Sequence, residues 1–419
     1  MAQPKFTTHL GMTDILPDET PQWRRLEKII HETAREFNFE EIRTPILEQT
    51  ELIARGIGEL TDIVTKEMFT FERGDDHYVL RPECTAPVVR AFVQHHLEQR
   101  GGTQNLYYLG PMFRAERPQK GRQRQFHQFG AEIIGADDPA ADVDMIALMM
   151  TIYERVGITN TQLKINSVGD PESRKAYKKA LLDFFRPNLE KLSDISQKRF
   201  ENNPLRILDS KEEEDQPFIE NAPLITDYLN EETASHYARV KKHLDDLGIP
   251  YEEDPHLVRG LDYYTRTAFE LISPDLGAQD ALGGGGRYDL LVEEVGGQPT
   301  PAVGFAAGIE RLFIACKELD INLSEPKSVD IYLVTIGDNA RSWALKHLSQ
   351  LRRNSISATM DYIGRSVKAQ MKDADRENAR YSIIVGDNEL NEGKFTLRNM
   401  KKSEEQSLTF EAIVDKLAG

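Results

Sequence analysis

Apolar residues recur at helical spacing between residues 19 and 37, where Trp23, Leu26, Ile30, Ala34 and Phe37 share one face. That spacing predicts an amphipathic helix. Residues 39–47 then alternate as a short extended segment broken near Pro45. Apolar clusters at 79–80, 106–109 and 126–134 predict strands of an antiparallel sheet, and 142–156 returns to a helical pattern. Residues of about 170–250 are rich in Lys and Glu, with helical periodicity over 174–185, 227–229 and 237–247. They predict a helical insertion between two parts of one sheet, in which the acidic run 211–215 is expected to be a solvated loop. Strand signals resume over 257–270 and 302–306, and 309–319 predicts a buried helix.

The pattern breaks at Ser324-Glu325-Pro326-Lys327-Ser328. Beyond it, strands over 329–335, 356–361 and 381–386 alternate with helices over 339–353, 366–376 and 409–417, which predicts a small α/β domain. The expected division is therefore 1–325 and 327–419. A chain of 419 residues exceeds what a single core usually supports, in keeping with that division. No apolar run is long enough for a membrane-spanning helix, and the N-terminal stretch lacks the apolar core of a secretory signal. Only Cys84 and Cys316 are present, without a CxxC or Cys/His cluster, so neither disulfides nor a structural zinc is expected, and a cytoplasmic location is.

The net charge of −17 argues against indiscriminate nucleic-acid binding, but its distribution is uneven. Residues 327–419 carry a formal +2 and residues 1–326 a formal −19. Within the acidic part, the 14 residues from 114 to 127 hold Arg114, Arg117, Lys120, Arg122 and Arg124 against a single acid, Glu116. Strand alternation puts Met112, Arg114 and Glu116 on one face of the first strand of a hairpin. Phe126, Gln128, Gly130 and Glu132 share one face of the return strand. If the two faces coincide, a cation, an aromatic ring, an amide and carboxylates meet on one surface. That mixture suits a charged, partly aromatic ligand such as a nucleotide.

Four blocks carry a resemblance: Arg81-Pro82-Glu83-Cys84-Thr85; the hairpin with Phe113-Arg114-Ala115-Glu116; Leu257-Val258-Arg259-Gly260-Leu261-Asp262-Tyr263-Tyr264; and Gly304-Phe305-Ala306-Ala307-Gly308-Ile309-Glu310-Arg311. In this order the chain resembles the class II aminoacyl-tRNA synthetases, and the third block points to the histidyl-tRNA synthetases. The resemblance extends to Asn203-Pro204-Leu205-Arg206 in the insertion and to the tail. It implies an α+β catalytic domain with a mainly antiparallel sheet flanked by helices, a helical insertion, and a C-terminal α/β anticodon-binding domain. It also implies a homodimer, with residues 19–47 at the interface.

The reaction so implied is attack of the histidine carboxylate on the α-phosphorus of ATP, then transfer of histidine to the 3′ end of its tRNA. Two anions must approach, so fixed cations are the main requirement. By resemblance Arg114 and Arg259 meet the α-phosphate and the substrate carboxylate, and Arg311 the γ-phosphate end. Glu116 and Phe126 match the residues that hold adenine. Glu132 and Tyr264 match those that read the imidazole, which offers one donor and one acceptor. Glu83, Thr85 and Gln128 surround the α-amino group, and Tyr263 and Tyr288 complete the histidine site. Arg117 and Gln119 are expected at the tRNA acceptor end. Magnesium is expected with ATP, but the sequence reveals no ligand set. Gly283 to Gly286 matches a pocket-lining element, although a glycine run before a helix reads equally as a flexible turn. Cys84 stands where the family pattern has glycine, and its side chain either crowds the amino-group site or points away. The rival reading is a non-catalytic relative, the histidyl-synthetase-like regulatory subunit of ATP phosphoribosyltransferase. That relative lacks the anticodon-binding tail and has no need of the full arginine set.

Overall fold

The computed structural model describes residues 5–58, 61, 63–208, 210–258, 260–324 and 327–418. The chain divides into two compact units, Met1–Leu323 and Ser324–Gly419. The first opens with the expected amphipathic helix, α1 (Thr20–Glu36), which buries Leu26, Ile29, Ile30, Thr33 and Ala34 along one stripe. It ends at Asn38, whose φ of 60° reverses the chain; the short polar side chain of Asn tolerates that conformation.

Eight strands form the central sheet: β1 (Glu40–Glu41), β2 (Gln104–Phe113), β3 (Gln125–Ile134), β4 (Gln162–Ser167), β5 (Tyr251–Glu253), β6 (Thr265–Ile272), β7 (Ala281–Arg287) and β8 (Ala302–Gly308). Their order is β1-β2-β3-β8-β7-β6-β4-β5. Only the two edge pairs are parallel. The five internal pairs are antiparallel, which makes the sheet mixed but mainly antiparallel. One face is apolar: Phe129, Ala131 and Ile133 of β3 and Val303, Phe305 and Ala307 of β8 pack with α1 and with α3 (Ala140–Val156) in a single core. The other face is left for polar residues, as the alternation in β3 predicts.

Two expectations for this unit change. The pattern over 257–270 predicts one long extended segment, but β6 begins only at Thr265. Its predecessor is a loop that, among the described residues, pairs with no strand; side chains hold three of its carbonyls, Asn166 of β4 at Leu257, Arg206 at Gly260 and Arg174 at Asp262. The insertion is helical, with α4 (Pro171–Phe185) and α5 (Glu231–Leu247) at its ends and a core of its own around Tyr177, Leu181, Phe185, Ile207 and Ile225. Its acidic run is solvated only as far as Glu214. Asp215 is fully buried and accepts hydrogen bonds from Ser193 Oγ at 2.8 Å and from Ser196 Oγ and Ser210 Oγ at 2.5 Å. A carboxylate supplied with that many donors is stable inside a small core.

The second unit is a five-stranded sheet ordered Ala358–Met360, Ile331–Thr335, Tyr381–Val385, Phe395–Asn399, Glu405–Leu408. The first three strands are parallel and the last two antiparallel. Helices Asp338–Arg353, Val367–Arg376 and Phe410–Ala418 match the α/β expectation. The antiparallel hairpin over 395–408 has no counterpart in the hydrophobic pattern.

Candidate active site

Registration across the sheet decides whether the polar positions meet. Met112 stands opposite Phe126, Gly110 opposite Gln128 and Tyr108 opposite Gly130. Across the other edge of β3, Gly308, Ala306 and Gly304 stand opposite Gln128, Gly130 and Glu132. Gly304 and Ala306 in turn face Gly286 and Gly284 of β7. One surface therefore carries Phe126, Gln128 and Glu132 beside a floor of glycine and alanine. The bareness of this floor is enforced. A Cβ on Gly304 would lie 1.6 Å from Glu132 Oε2, and one on Gly130 would lie 2.4 Å from Tyr108 Oη.

At one end of the surface is a buried polar cluster. Glu132 is 0% exposed. It accepts hydrogen bonds from Thr85 Oγ1 at 2.8 Å and from Tyr288 Oη at 2.6 Å. Burial outweighs those two donors and pushes its carboxyl up to about 8. Glu83 sits just before the helix α2 (Thr85–Gln94) of this unit and accepts from the Thr85 and Ala86 backbone N–H groups at 2.7 and 3.0 Å. It thereby caps two of the helix's otherwise unpaired donors. Burial nonetheless raises its carboxyl above the ordinary value. Tyr263, Tyr264 and Tyr288 wall the cluster, with ring centroids 4.7 Å apart for the first pair and 5.6 Å for Tyr263 and Tyr288. The Oε1 atom of Gln128, next along the same face, is buried without a hydrogen-bond partner. A buried acceptor left open is an invitation to a donor such as an ammonium.

At the other end lies an open cleft of about 300 Å³ whose lining includes Arg114, Glu116, Phe126, Gln128, Glu270 and Arg311. Arg114 is fixed by an Nε hydrogen bond of 3.0 Å to the Pro82 carbonyl, and its guanidinium stands 5.3 Å from the centre of the Phe126 ring. Burial lowers its pKa, against the pull of Glu116, Glu67 and Glu83. Arg311 belongs to the first turn of the helix α6 (Ile309–Glu318), which follows directly on the last strand residue, Gly308, and its pKa is lowered by burial and by nearby Arg122. Two partly desolvated cations with a helix N-terminus between strands are an anion site. Glu116 is 3.4 Å from Arg122, at the mouth of the cleft.

The comparisons with known proteins agree with this geometry. A family model described as "Histidyl-tRNA synthetase" matches residues 11–312, and one described as "Anticodon binding domain" matches 330–419. The chain belongs to the histidyl-tRNA synthetase family. A histidine–tRNA ligase of Desulforamulus reducens is 48% identical over 405 residues, covering 96% of this chain and 97% of that one. A crystal structure of apo Staphylococcus aureus histidyl-tRNA synthetase superposes with a TM-score of 0.83 at 42% identity, covering all of both chains. A Bacillus halodurans structure described as an ATP phosphoribosyltransferase regulatory subunit/histidyl-tRNA synthetase shares the fold at 22% identity, with a TM-score of 0.65. The match of the tail to an anticodon-binding domain favours the synthetase over the regulatory subunit.

Of the residues that the resemblance to histidyl-tRNA synthetases singled out, Glu83, Thr85, Glu132, Tyr263, Tyr264 and Tyr288 converge on the buried cluster. Arg114, Glu116, Phe126, Gln128 and Arg311 converge on the cleft. Arg259 lies outside the described residues. Arg117 and Gln119 sit at the exposed tip of the hairpin, closed by the Gln119–Arg122 bridge, away from the cleft lining. The Cys84 side chain points away from the pocket, with Sγ 3.6 Å from Thr44 Oγ1 and 3.7 Å from Arg81, and burial pushes its thiol up to about 12. Its φ of −121° is open to any residue, so the position does not require glycine. Gly283 to Gly286 form no flexible turn but the middle of β7, where a Cβ on Gly285 would lie 2.0 Å from the Gly304 carbonyl.

Two supports went unseen in the sequence. Glu310 reaches across from α6 to the His127 backbone N–H and to His127 Nδ1, at 2.9–3.0 Å, and pins β3 to the helix that carries Arg311. Arg287, fully buried beside Tyr288, donates to Asp142 at 2.9 Å, to Asp289 at 3.1 Å and to the Ala136 carbonyl at 2.7 Å. Burial opposes ionisation of Asp142, but Arg287 and His236 outweigh it and hold its carboxyl below the ordinary value. Apart from the Arg287–Asp289 bond, both supports join residues more than a hundred positions apart, for which local spacing gives no signal.

Proposed function

We propose that the buried cluster and the cleft divide the two substrates of the histidine–tRNA ligase reaction, an activity that membership in the family assigns to this chain. Histidine occupies the cluster: Glu132 and Tyr264 read the imidazole, and Glu83, Thr85 and Gln128 hold the ammonium, with Tyr263 and Tyr288 as walls. ATP occupies the cleft, with its adenine between Phe126 and Glu116 and its phosphates on Arg114 and Arg311. By family membership, Arg259 joins the histidine carboxylate to the α-phosphate. The observation that carries this reading is the continuity of the two sites on one face of β3, two residues apart at Gln128, Gly130 and Glu132. The carboxylate of a histidine anchored at Glu132 would then point toward the cleft, which is the alignment that in-line attack needs.

Charge grows on the α-phosphoryl oxygens during that attack, and Arg114 is already desolvated where it would meet them. Magnesium fits as a companion of ATP rather than a resident ion. Among the described residues no cluster of three potential ligands exists, and Mg²⁺ commonly takes one or two carboxylates with substrate phosphates. Glu270, on the cleft wall, would supply such a carboxylate and the ion would shield phosphate charge.

Transfer brings the tRNA acceptor end to the basic tip that carries Arg117 and Gln119, and the anticodon to residues 327–419. A homodimer is supported by the exposed apolar side chains Ile46, Leu47 and Phe71 on and beside the small sheet of strands Leu47–Gln49, Asp76–Leu80 and Phe69–Arg73. Two free, buried cysteines accord with a cytoplasmic location, and no helix among the described residues is long and apolar enough to cross a membrane. The test is exchange of labelled pyrophosphate into ATP with each of the twenty amino acids. Exchange with histidine alone is expected; none from folded protein would transfer the reading to the non-catalytic relative.

A further inference from the structure

The insertion carries the motif Asn203-Pro204-Leu205-Arg206. Its arginine donates from Nη2 to the Gly260 carbonyl at 2.7 Å. A second arginine of the insertion, Arg174 on α4, donates from Nη1 to the Asp262 carbonyl at 3.2 Å and from Nε to the Val168 carbonyl at 3.3 Å. Two guanidinium groups from a separately cored helical body thus hold the main chain of the loop that connects Leu257 to Tyr264. Gly260 is the residue directly after Arg259.

Three observations make this more than a surface contact. Among the described residues the loop pairs with no strand, so these side chains supply hydrogen bonds that a ladder would otherwise provide. Arg174 is only partly exposed and desolvation lowers its pKa, so a guanidinium that donates to two carbonyl oxygens is committed to their position. Finally, packing beneath the loop is incomplete. A cavity of about 60 Å³ remains between it and the insertion, bordered by Arg174, Arg206, Leu208, Leu261 and Tyr264. Where contact density is missing, the directional bonds fix the backbone. The same carbonyl clamp reaches Asp262, whose own amide donates to the Ile57 carbonyl at 3.0 Å, so the loop is held from both sides.

On the reading of Arg259 given above, we infer that Arg206, seconded by Arg174, is a positioning residue for histidine activation: it sets the loop so that the neighbouring Arg259 meets the reacting groups. The helical insertion is then part of the activation machinery. Loss of the clamp displaces a reactive group without removing it. Displacements of about 1 Å cost on the order of 10²-fold in rate.

The test uses the full-length protein with Arg206→Ala, Arg206→Lys, Arg259→His and the double variant Arg206→Ala/Arg259→His, in histidine-dependent pyrophosphate exchange. Arg206→Ala is expected to lower kcat about 10²-fold with the KM values for ATP and histidine little changed. Arg206→Lys, which keeps a donor but not the planar fork, is expected to fall between it and the parent. In the Arg259→His background the Arg206→Ala change is expected to cost nothing further, because the two act on one interaction. Multiplying losses in the double variant, or normal kcat in a normally melting Arg206→Lys and Arg206→Ala, overturns the clamp. Should Arg206→Ala fail to fold, Arg206→Lys with and without Arg259→His gives the same comparison. Full exchange in Arg259→His overturns the reading of Arg259 itself, and the clamp with it.

Discussion

Replacing Glu132 by Gln separates what the residue does for stability from what it does for histidine. Its carboxyl has an ordinary value of 4.5 and is pushed up to about 8 by burial in the folded protein. The folded chain therefore keeps a proton on Glu132 over a pH range in which the unfolded chain has lost it. A group raised in this way favours folding fully below 4.5, and that contribution is lost as pH rises toward 8. The slope is about 1.4 kcal/mol per pH unit, so the loss from pH 5 to pH 7 is about 3 kcal/mol. Gln is nearly isosteric, does not titrate, and still offers the Thr85 and Tyr288 hydroxyls an oxygen. Urea unfolding of both proteins at one protein concentration, from pH 5 to pH 8, reads the effect as a difference in which all other titrations cancel. The variant is expected to gain steadily on the parent as pH rises, while its KM for histidine climbs at least about tenfold because Gln cannot ionise to meet the imidazole N–H as a carboxylate. A stability difference that stays flat across this range would refute the argument that Glu132 is held protonated by burial.

Removing residues 327–419 should weaken tRNA charging far more than pyrophosphate exchange; equal losses in the two assays would make the tail a structural support. Phe126→Ala removes a ring that faces the Arg114 guanidinium at 5.3 Å and, on the proposed reading, stacks with adenine; it should raise KM for ATP about tenfold while leaving KM for histidine near normal. Gly304→Ala places a methyl group 1.6 Å from Glu132 Oε2, and should cut kcat/KM for histidine at least about 10²-fold in a protein whose anticodon-binding unit still folds. Cys84→Gly should change exchange kinetics less than twofold, since the thiol faces Arg81 and Thr44; a larger change in KM for histidine would place it in the pocket after all.

What could be read from the sequence follows from the range of the forces involved. α1 and α3 were legible because each buries a regular stripe, and the face of β3 shared by Phe126, Gln128, Gly130 and Glu132 follows from strand alternation alone. β7 was hidden because a run of glycines has no hydrophobic pattern. Its glycines are there for close backbone approach, not for flexibility. The loop before β6 was misjudged because Leu257, Tyr263 and Tyr264 are buried as strand residues would be, yet from a segment held by Arg174 and Arg206. Asp215 was misplaced in solvent because two of the serines that shelter it, Ser193 and Ser196, stand at the start of the helix Asp194–Asn202, 22 and 19 positions away. Glu310 and Arg287 act across still longer separations, where one sequence carries no trace of the partner.

The side-chain-free floor built from Gly130, Gly284, Gly286, Gly304 and Ala306 limits how this catalyst can diverge. At Gly130 and Gly304 a mutation can only add atoms, and each added atom lands where Tyr108 or Glu132 already stands. Selection for a different amino acid therefore has little room to act on the floor. It is channelled to the walls, Glu83, Gln128, Tyr264 and Tyr288, so sequence drift among descendants should run freely around the site while its base stays fixed.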